Sequence, residues 1–182
     1  MLLVSRYNME YWETSEYYNL MKDIPMKRIA IYDMDGTIVC SLHRYRTIFD
    51  DRGERIDLGY WRENEHRAME DSLLPLAKQY KQDIFDPFCI TIIATARILR
   101  NADIEFISTR LGNPDHIISR AEGDVTSGGT LKVSGLKPIL EDYKARFDIW
   151  DIVFYEDNVQ YLKTVCDYFN IRGVYIPSKQ GH

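Results

Sequence analysis

Three short segments of this chain are apolar almost throughout and stop abruptly at reactive groups: RIAIYDMDG (28–36), FCITIIATAR (88–97) and WDIVFYED (150–157). A strand with one wet face alternates apolar and polar residues, so a run without alternation has to be covered on both faces. Segments of helical spacing lie between and after them: ILRNADIEFISTRLG (98–112), LKVSGLKPILEDYKARF (131–147) and VQYLKTVCDYF (159–169). The helix from 98 stops at Gly112, and short strands follow at DHIISR (115–120) and RGVYIP (172–177). Strands alternating with helices predict a parallel sheet in a three-layer α/β sandwich. The stretch CSLHRYRTIFDDRGERIDLGYW (40–61) carries a turn signal at Asp51–Gly53 and reads as a hairpin or a flap. YWRENEHRAMEDSLLPLAKQYKQ (60–82) reads as helix, bent or restarted near Pro75.

Successive strand residues face opposite ways, so Asp33 and Asp35 point to the same side, with Thr37 adding a hydroxyl and Gly36 letting the backbone leave the sheet. Two like charges held together are costly, which calls for a cation or a positive side chain beside them. A calcium loop of the EF-hand type is excluded, because the twelfth residue from Asp33 is Arg44 rather than a Glu. In open α/β sheets ligands gather at the carboxyl ends of the strands. Asp33 and Asp35, Thr95 and Arg97, and Glu156 and Asp157 all fall at such ends.

The 182 residues suit one domain, and a net charge of −5 supplies no overall basic field for nucleic acid, so such a contact needs a local patch. Cys40, Cys89 and Cys166 are odd in number and unpaired in spacing, and the four His show no ligand spacing, which argues against a disulfide framework or a zinc site. No run of about 18 apolar residues occurs and the first residues lack a signal-peptide core, so the expectation is a cytoplasmic protein with no membrane contact. Residues 1–25 are set apart as a helical extension, with 26–182 as the domain. The extension holds Tyr11, Trp12, Tyr17, Tyr18 and Met21. It is expected to cover the fold or to act as a self-association surface.

DMDGT after an apolar strand, Thr95 closing a second strand, a later lysine and an acidic pair closing another strand resemble the haloacid dehalogenase (HAD) superfamily over residues 27–177. The resemblance implies a Rossmann-like parallel sheet and a phosphatase that works through an aspartyl-phosphate. It implies Asp33 as nucleophile and Asp35 as general acid and base. It also implies Mg2+ held by Asp33, the carbonyl oxygen of Asp35 and Asp157. Glu156 is expected in the surrounding shell, with exchange between the two acids left open. Thr95 would hydrogen-bond a phosphate oxygen, its other reading being a strand-end cap. Lys132, with Leu136, Ile139 and Leu140 at helical distances behind it, is chosen over Lys137 as the family's lysine. Gly36, Thr37 and Ala96 would share in substrate binding.

Cap domains in this superfamily are inserted after the first motif or before the lysine, and neither interval is long here, so a minimal cap or none is expected. A narrower likeness is to the 3′-phosphatase domain of phage-type polynucleotide kinase–phosphatase. Arg97 two residues after Thr95, Arg44 nine after Asp35, and RAEGDVTSGGTLK (120–132) carry it. It implies Arg44 and Arg97 as substrate contacts. Gly128 stands where that likeness implies an acid, with Asp124 the nearest replacement. The flap residues His43, Arg46, Arg52, Arg55, Tyr45 and Phe49 read either as a single-strand contact or as a solvated loop. No GxxxxGK[ST] loop occurs, so no kinase domain of that type accompanies them. The expected activity is a Mg2+-dependent phosphomonoesterase acting on a 3′-phosphorylated DNA or RNA end. The alternatives are a nucleotidase for free nucleotides or, in a different class, a silent binding module on the same fold.

Overall fold

A computed structural model describes residues 28–51, 53–149 and 151–178. The expectations for residues 1–25 and for Arg52 lie outside the described residues. The apolar runs become the strands β1 (Arg28–Tyr32), β6 (Cys89–Ala94) and β8 (Ile152–Glu156), joined by the shorter β7 (His116–Ile118) and β9 (Arg172–Tyr175). They form one parallel sheet in the order β7-β6-β1-β8-β9. From β1 the chain builds outward through β6 and β7, then returns to β8 on the other flank. The point where the order reverses therefore lies between β1 and β8. In sheets of this kind a crevice opens there, beyond the carboxyl ends of the strands.

Both faces of the sheet are covered, as the unbroken apolar runs require. Ala30 and Tyr32 face α2 (Ala77–Asp83) and α3 (Asn101–Phe106), where Tyr80, Ile84 and Phe106 complete that core. Ile29 and Ile31 face α4 (Gly128–Arg146) and α5 (Val159–Phe169), meeting Leu136, Leu140 and Val165. Each such side chain contributes roughly 1.5–3 kcal/mol by burial, so β1, buried on both faces, anchors the acids that follow it. Tyr32 carries a polar tip into its core, and its hydroxyl donates to Asp83 Oδ2 at 2.6 Å.

Between β1 and β6 the chain makes a flap. β2 (Val39–Cys40) pairs antiparallel with β5 (Ser72–Leu73), and residues 41–71 are inserted between them. The insertion is small: a 3-10 turn, the hairpin β3 (Thr47–Asp50) and β4 (Gly53–Ile56), then α1 (Leu58–Asn64) and a second 3-10 segment (Glu65–Glu70). The hairpin reading of the Asp51–Gly53 turn is thus borne out. The helix expected over 60–82, bent or restarted near Pro75, does restart there as α2, but it is interrupted earlier as well, because the chain turns extended at Asp71 (φ −57°, ψ 144°) and crosses the flap as β5.

Candidate active site

The site lies where β1 and β8 end. Asp33 leaves β1 with its backbone N–H still bonded to Tyr155 O of β8, at 2.9 Å. The turn after it is closed by three N–H groups, of Thr37, Ile38 and Val39, that all aim at Met34 O. Gly36 sits in that turn at φ +74°, where a side chain would be strained and would also collide with the Asp157 carboxylate. The glycine therefore brings the first loop into contact with the last acid.

Lys132 rises from α4, whose first turn is capped by Ser127 accepting from Thr130 N. Its Nζ lies 2.6 Å from Asp33 Oδ1 and also donates to Glu156 Oε2. All three groups are buried. The ammonium faces the Phe154 and Tyr161 rings at 5.5 and 5.4 Å from their centroids. Burial alone would lower the lysine's affinity for its proton, but the two carboxylates outweigh it and keep Lys132 charged. Asp33 is pushed up, to about 7, by burial first and by the Glu156 charge second, with Lys132 opposing. Asp157 is pushed up to about 6, again by burial first and by Asp33 second.

The two acids after β8 divide. Glu156 is engaged at both oxygens, by Lys132 and by the backbone N–H of Asn158 at 3.0 Å. Asp157 keeps one buried oxygen, Oδ2, without a hydrogen-bond partner. Asp33, Glu156 and Asp157 each offer an oxygen within 4.8 Å of the others. An all-oxygen set with an unfilled buried carboxylate oxygen fits a hard divalent cation such as Mg2+. Glu156 is turned to the lysine, which leaves Asp33 and Asp157 as the carboxylates of this cluster to face such an ion.

Asp35 is the least enclosed acid, with 21% of its side chain exposed. Its Oδ1 accepts from Ser41 Oγ at 2.6 Å and from Arg97 Nη2. Thr37 Oγ1 lies 3.3 Å from Asp33 Oδ2, on the nucleophile side of the turn. Thr95 Oγ1 accepts from Arg97 N at 3.1 Å, so it caps the turn after β6 while keeping its own proton free to donate. Ala96 follows in that turn, its carbonyl accepting from Arg120 Nε at 2.8 Å.

Arg44 departs from its expected place as a substrate contact. Its side chain is fully buried and its donors are consumed: Nε and Nη2 clamp both Asp71 oxygens at 2.9 and 2.6 Å, Nη2 also meets Asp103 Oδ1 at 3.0 Å, and Nη1 reaches Glu65 O at 3.2 Å. Arg97 is likewise buried, and it donates to Asp35 through Nη2 and to Asp103 through Nη1. Asp124, the nearest replacement for the acid absent at Gly128, is engaged locally. It accepts from Thr126 N at 2.8 Å within its own turn, and Gly128 packs so close to the Tyr161 ring that no side chain would fit. Lys137 is exposed. Asp71, Asp103 and Trp61, all in contact with the arginines, were not singled out from the sequence; Asp71 and Asp103 lie 27 and 59 residues from Arg44, although Asp103 is only six from Arg97.

A family model described as bacteriophage T5 5′-deoxynucleotidase matches residues 20–122. The 5′-deoxynucleotidase of Escherichia phage T5 is 33% identical over 93 residues, which is 49% of this chain. The match spans 38% of that relative's length. Among solved structures, the Pnkp1/Rnl/Hen1 RNA repair complex contains a chain 18% identical, with a TM-score of 0.54 over 83% of this chain and 42% of that one. The HAD domain of the effector Lem4 from Legionella pneumophila is 15% identical, with a TM-score of 0.50 over 85% of this chain and 88% of that one. At these identities the likeness is one of fold, and the fold is that of the haloacid dehalogenase superfamily. No helix among the described residues is long and apolar enough to cross a membrane.

Proposed function

We propose, for a chain that belongs to the bacteriophage T5 5′-deoxynucleotidase family, the hydrolysis of a phosphate monoester through an aspartyl-phosphate on Asp33. The observation that carries this reading is the buried pairing of Asp33 Oδ1 with Lys132 Nζ at 2.6 Å, beside the unpartnered Oδ2 of Asp157. A carboxylate oxygen of Asp33 attacks phosphorus, the ester P–O bond breaks, and the departing alkoxide takes the proton of Asp35. Water then attacks the phosphorus of the acyl phosphate and gives its proton to Asp35. Inorganic phosphate leaves and the Asp33 carboxylate is restored. Lys132, the Thr95 hydroxyl and Thr37, with the backbone from Gly36 and Ala96, are suited to hold the non-bridging oxygens. Asp33, Asp157 and the Asp35 carbonyl would hold Mg2+, which would supply positive charge against the carboxylates and the phosphoryl oxygens.

Free 5′-deoxynucleoside monophosphates stand first as substrate, because the family match covers the first motif, the insertion and the Thr95–Arg97 turn. That reverses the order drawn from the arginine spacing, since a fully buried Arg44 offers no hand to a nucleic-acid end. The second reading, removal of a 3′-phosphate from DNA or RNA, keeps the support of Arg97 two residues after Thr95. Phosphate release from a panel of 5′-deoxynucleoside monophosphates, 3′-phosphorylated oligonucleotides and 5′-phosphorylated oligonucleotides separates the two. Turnover led by the mononucleotides supports the first reading, and turnover led by the 3′-phosphorylated oligonucleotides replaces it with the second. Asp33→Asn should release no phosphate from any of them.

A further inference from the structure

We infer that Asp103, Asp71, Arg44 and Trp61 act together as positioning residues for Asp35, holding the Arg97 guanidinium so that one of its edges stays on the Asp35 carboxylate. The inference rests on the role proposed for Asp35 and extends it to four residues that touch neither Asp33 nor the acids after β8 in any contact described above.

Arg97 Nη2 donates to Asp35 Oδ1, and Nη1 donates to Asp103 Oδ1 at 2.9 Å. The same Asp103 oxygen accepts Arg44 Nη2 at 3.0 Å, so a single carboxylate oxygen joins two guanidinium groups. Asp103 Oδ2 accepts from Arg100 N at 2.9 Å, which ties the carboxylate to the start of α3 and stops it from turning. Asp71 is clamped through both oxygens by Arg44 and stands 3.6 Å from Arg97 Nη2. The Trp61 ring lies against both guanidinium groups, with centroid distances of 4.6 Å to Arg44 and 4.9 Å to Arg97. Two arginines and three aspartates are thus packed together, and four of the five have side chains no more than 3% exposed. Buried charges of this kind are expensive unless each is paired. A planar guanidinium fixed at one edge and across its face has few orientations left for the other edge.

The arrangement also crosses the flap. Arg44, Trp61 and Asp71 belong to the insertion at 41–71, whereas Arg97 and Asp103 belong to the turn after β6 and to α3. Docking of the insertion and placement of the Asp35 carboxylate are therefore one event. A proton donor matters most for a poor leaving group such as a ribose hydroxyl, and little for a phenolate activated by a nitro group. Misplacing Asp35 should consequently penalise one substrate and spare the other. A defect in folding or in phosphate binding would penalise both.

The test compares Trp61→Phe and Asp103→Asn with the wild type on a 5′-deoxynucleoside monophosphate and on p-nitrophenyl phosphate, each assayed below the variant's melting transition. The expected result is a kcat loss on the nucleotide roughly tenfold or more greater than on the aryl ester, within the range that general acid catalysis contributes. Equal losses on both substrates overturn the inference, as does wild-type behaviour on the nucleotide. A second measurement needs no turnover: side-chain 15N NMR should resolve distinct, slowly exchanging Nη signals for Arg97 in the wild type and averaged signals in Asp103→Asn. Averaged signals in the wild type overturn the inference too. A wild type that hydrolyses neither ester counts against the phosphatase reading, while the NMR result still decides the positioning.

Discussion

Replacing Lys132 by Met keeps the length of the side chain and removes the one positive charge shared by Asp33 and Glu156. In the wild type the ammonium is 2.6 Å from Asp33 and donates to Glu156 as well, all within a region closed to solvent. Removing one member of a buried ion pair costs about 3–5 kcal/mol, because the remaining charge is left uncompensated. For a domain of this size 1 kcal/mol corresponds to roughly 2–4 °C in Tm, so the melting transition should fall by about 6–20 °C. The loss should also depend on pH. Burial and the Glu156 charge already raise the Asp33 carboxyl in the wild type, to about 7, and without the lysine both acids are raised further. A carboxyl raised on folding favours the native state while protonated and loses that advantage as pH rises through its folded value. The deficit of Lys132→Met should therefore be largest at pH 8 and shrink towards pH 5.5. Urea denaturation in excess chelator at both pH values measures it. A variant within about 0.5 kcal/mol of the wild type at pH 8, the usual range for a surface change, would refute the buried pairing.

Excess chelator should remove phosphatase activity, and Mg2+ should restore it where Ca2+ restores little, since the larger, looser calcium shell suits the Asp33 and Asp157 oxygens less well. Gly36→Ala should lose about 1–2 kcal/mol from the positive φ alone and weaken Mg2+ binding as the new methyl displaces the Asp157 carboxylate, both readable by melting with and without the ion. His116 is held below its ordinary range by burial, against the pull of Asp115 and Asp142 and with Arg146 adding to the effect. The unfolded chain then takes up the proton first, so stability should fall as pH drops below about 6.5. His116→Gln should flatten that part of a urea-midpoint profile.

The sheet was legible because its evidence is local. A run such as CITIIA has no wet face, and reading that property needs no partner strand. The acids at the ends of β1 and β8 were legible for the same reason, since an apolar run that stops at Asp33 or Glu156 marks a carboxyl end. Lys132 could be chosen over Lys137 by the helical positions behind it, and the buried and exposed places they occupy follow that choice. What escaped was the pairing that the flap makes within itself and with the turn after β6. Arg44 sits among acids and aromatics in sequence and reads as a substrate contact. Its actual partners, Asp71 and Asp103, lie 27 and 59 positions later. The same pairing explains the break ahead of Pro75: Asp71 reaches back to Arg44 just as the chain enters β5, and that crossing interrupts the helical run of 60–82. The division of labour between Glu156 and Asp157 came only from the family resemblance, with exchange between them left open, because it depends on the side from which α4 delivers its lysine.

The most direct test of the account is to catch the covalent intermediate. Wild-type protein, Mg2+ and a 5′-deoxynucleoside monophosphate are mixed, quenched in the steady state and treated with borohydride, which reduces an acyl phosphate to an alcohol and leaves a free carboxylate untouched. Peptide mass spectrometry should find the carboxyl of Asp33 reduced, only when substrate is present, with Asp35, Glu156 and Asp157 unchanged. Rapid turnover with Asp33 left intact at every quench time, or reduction at another acid, would contradict Asp33 as the nucleophile.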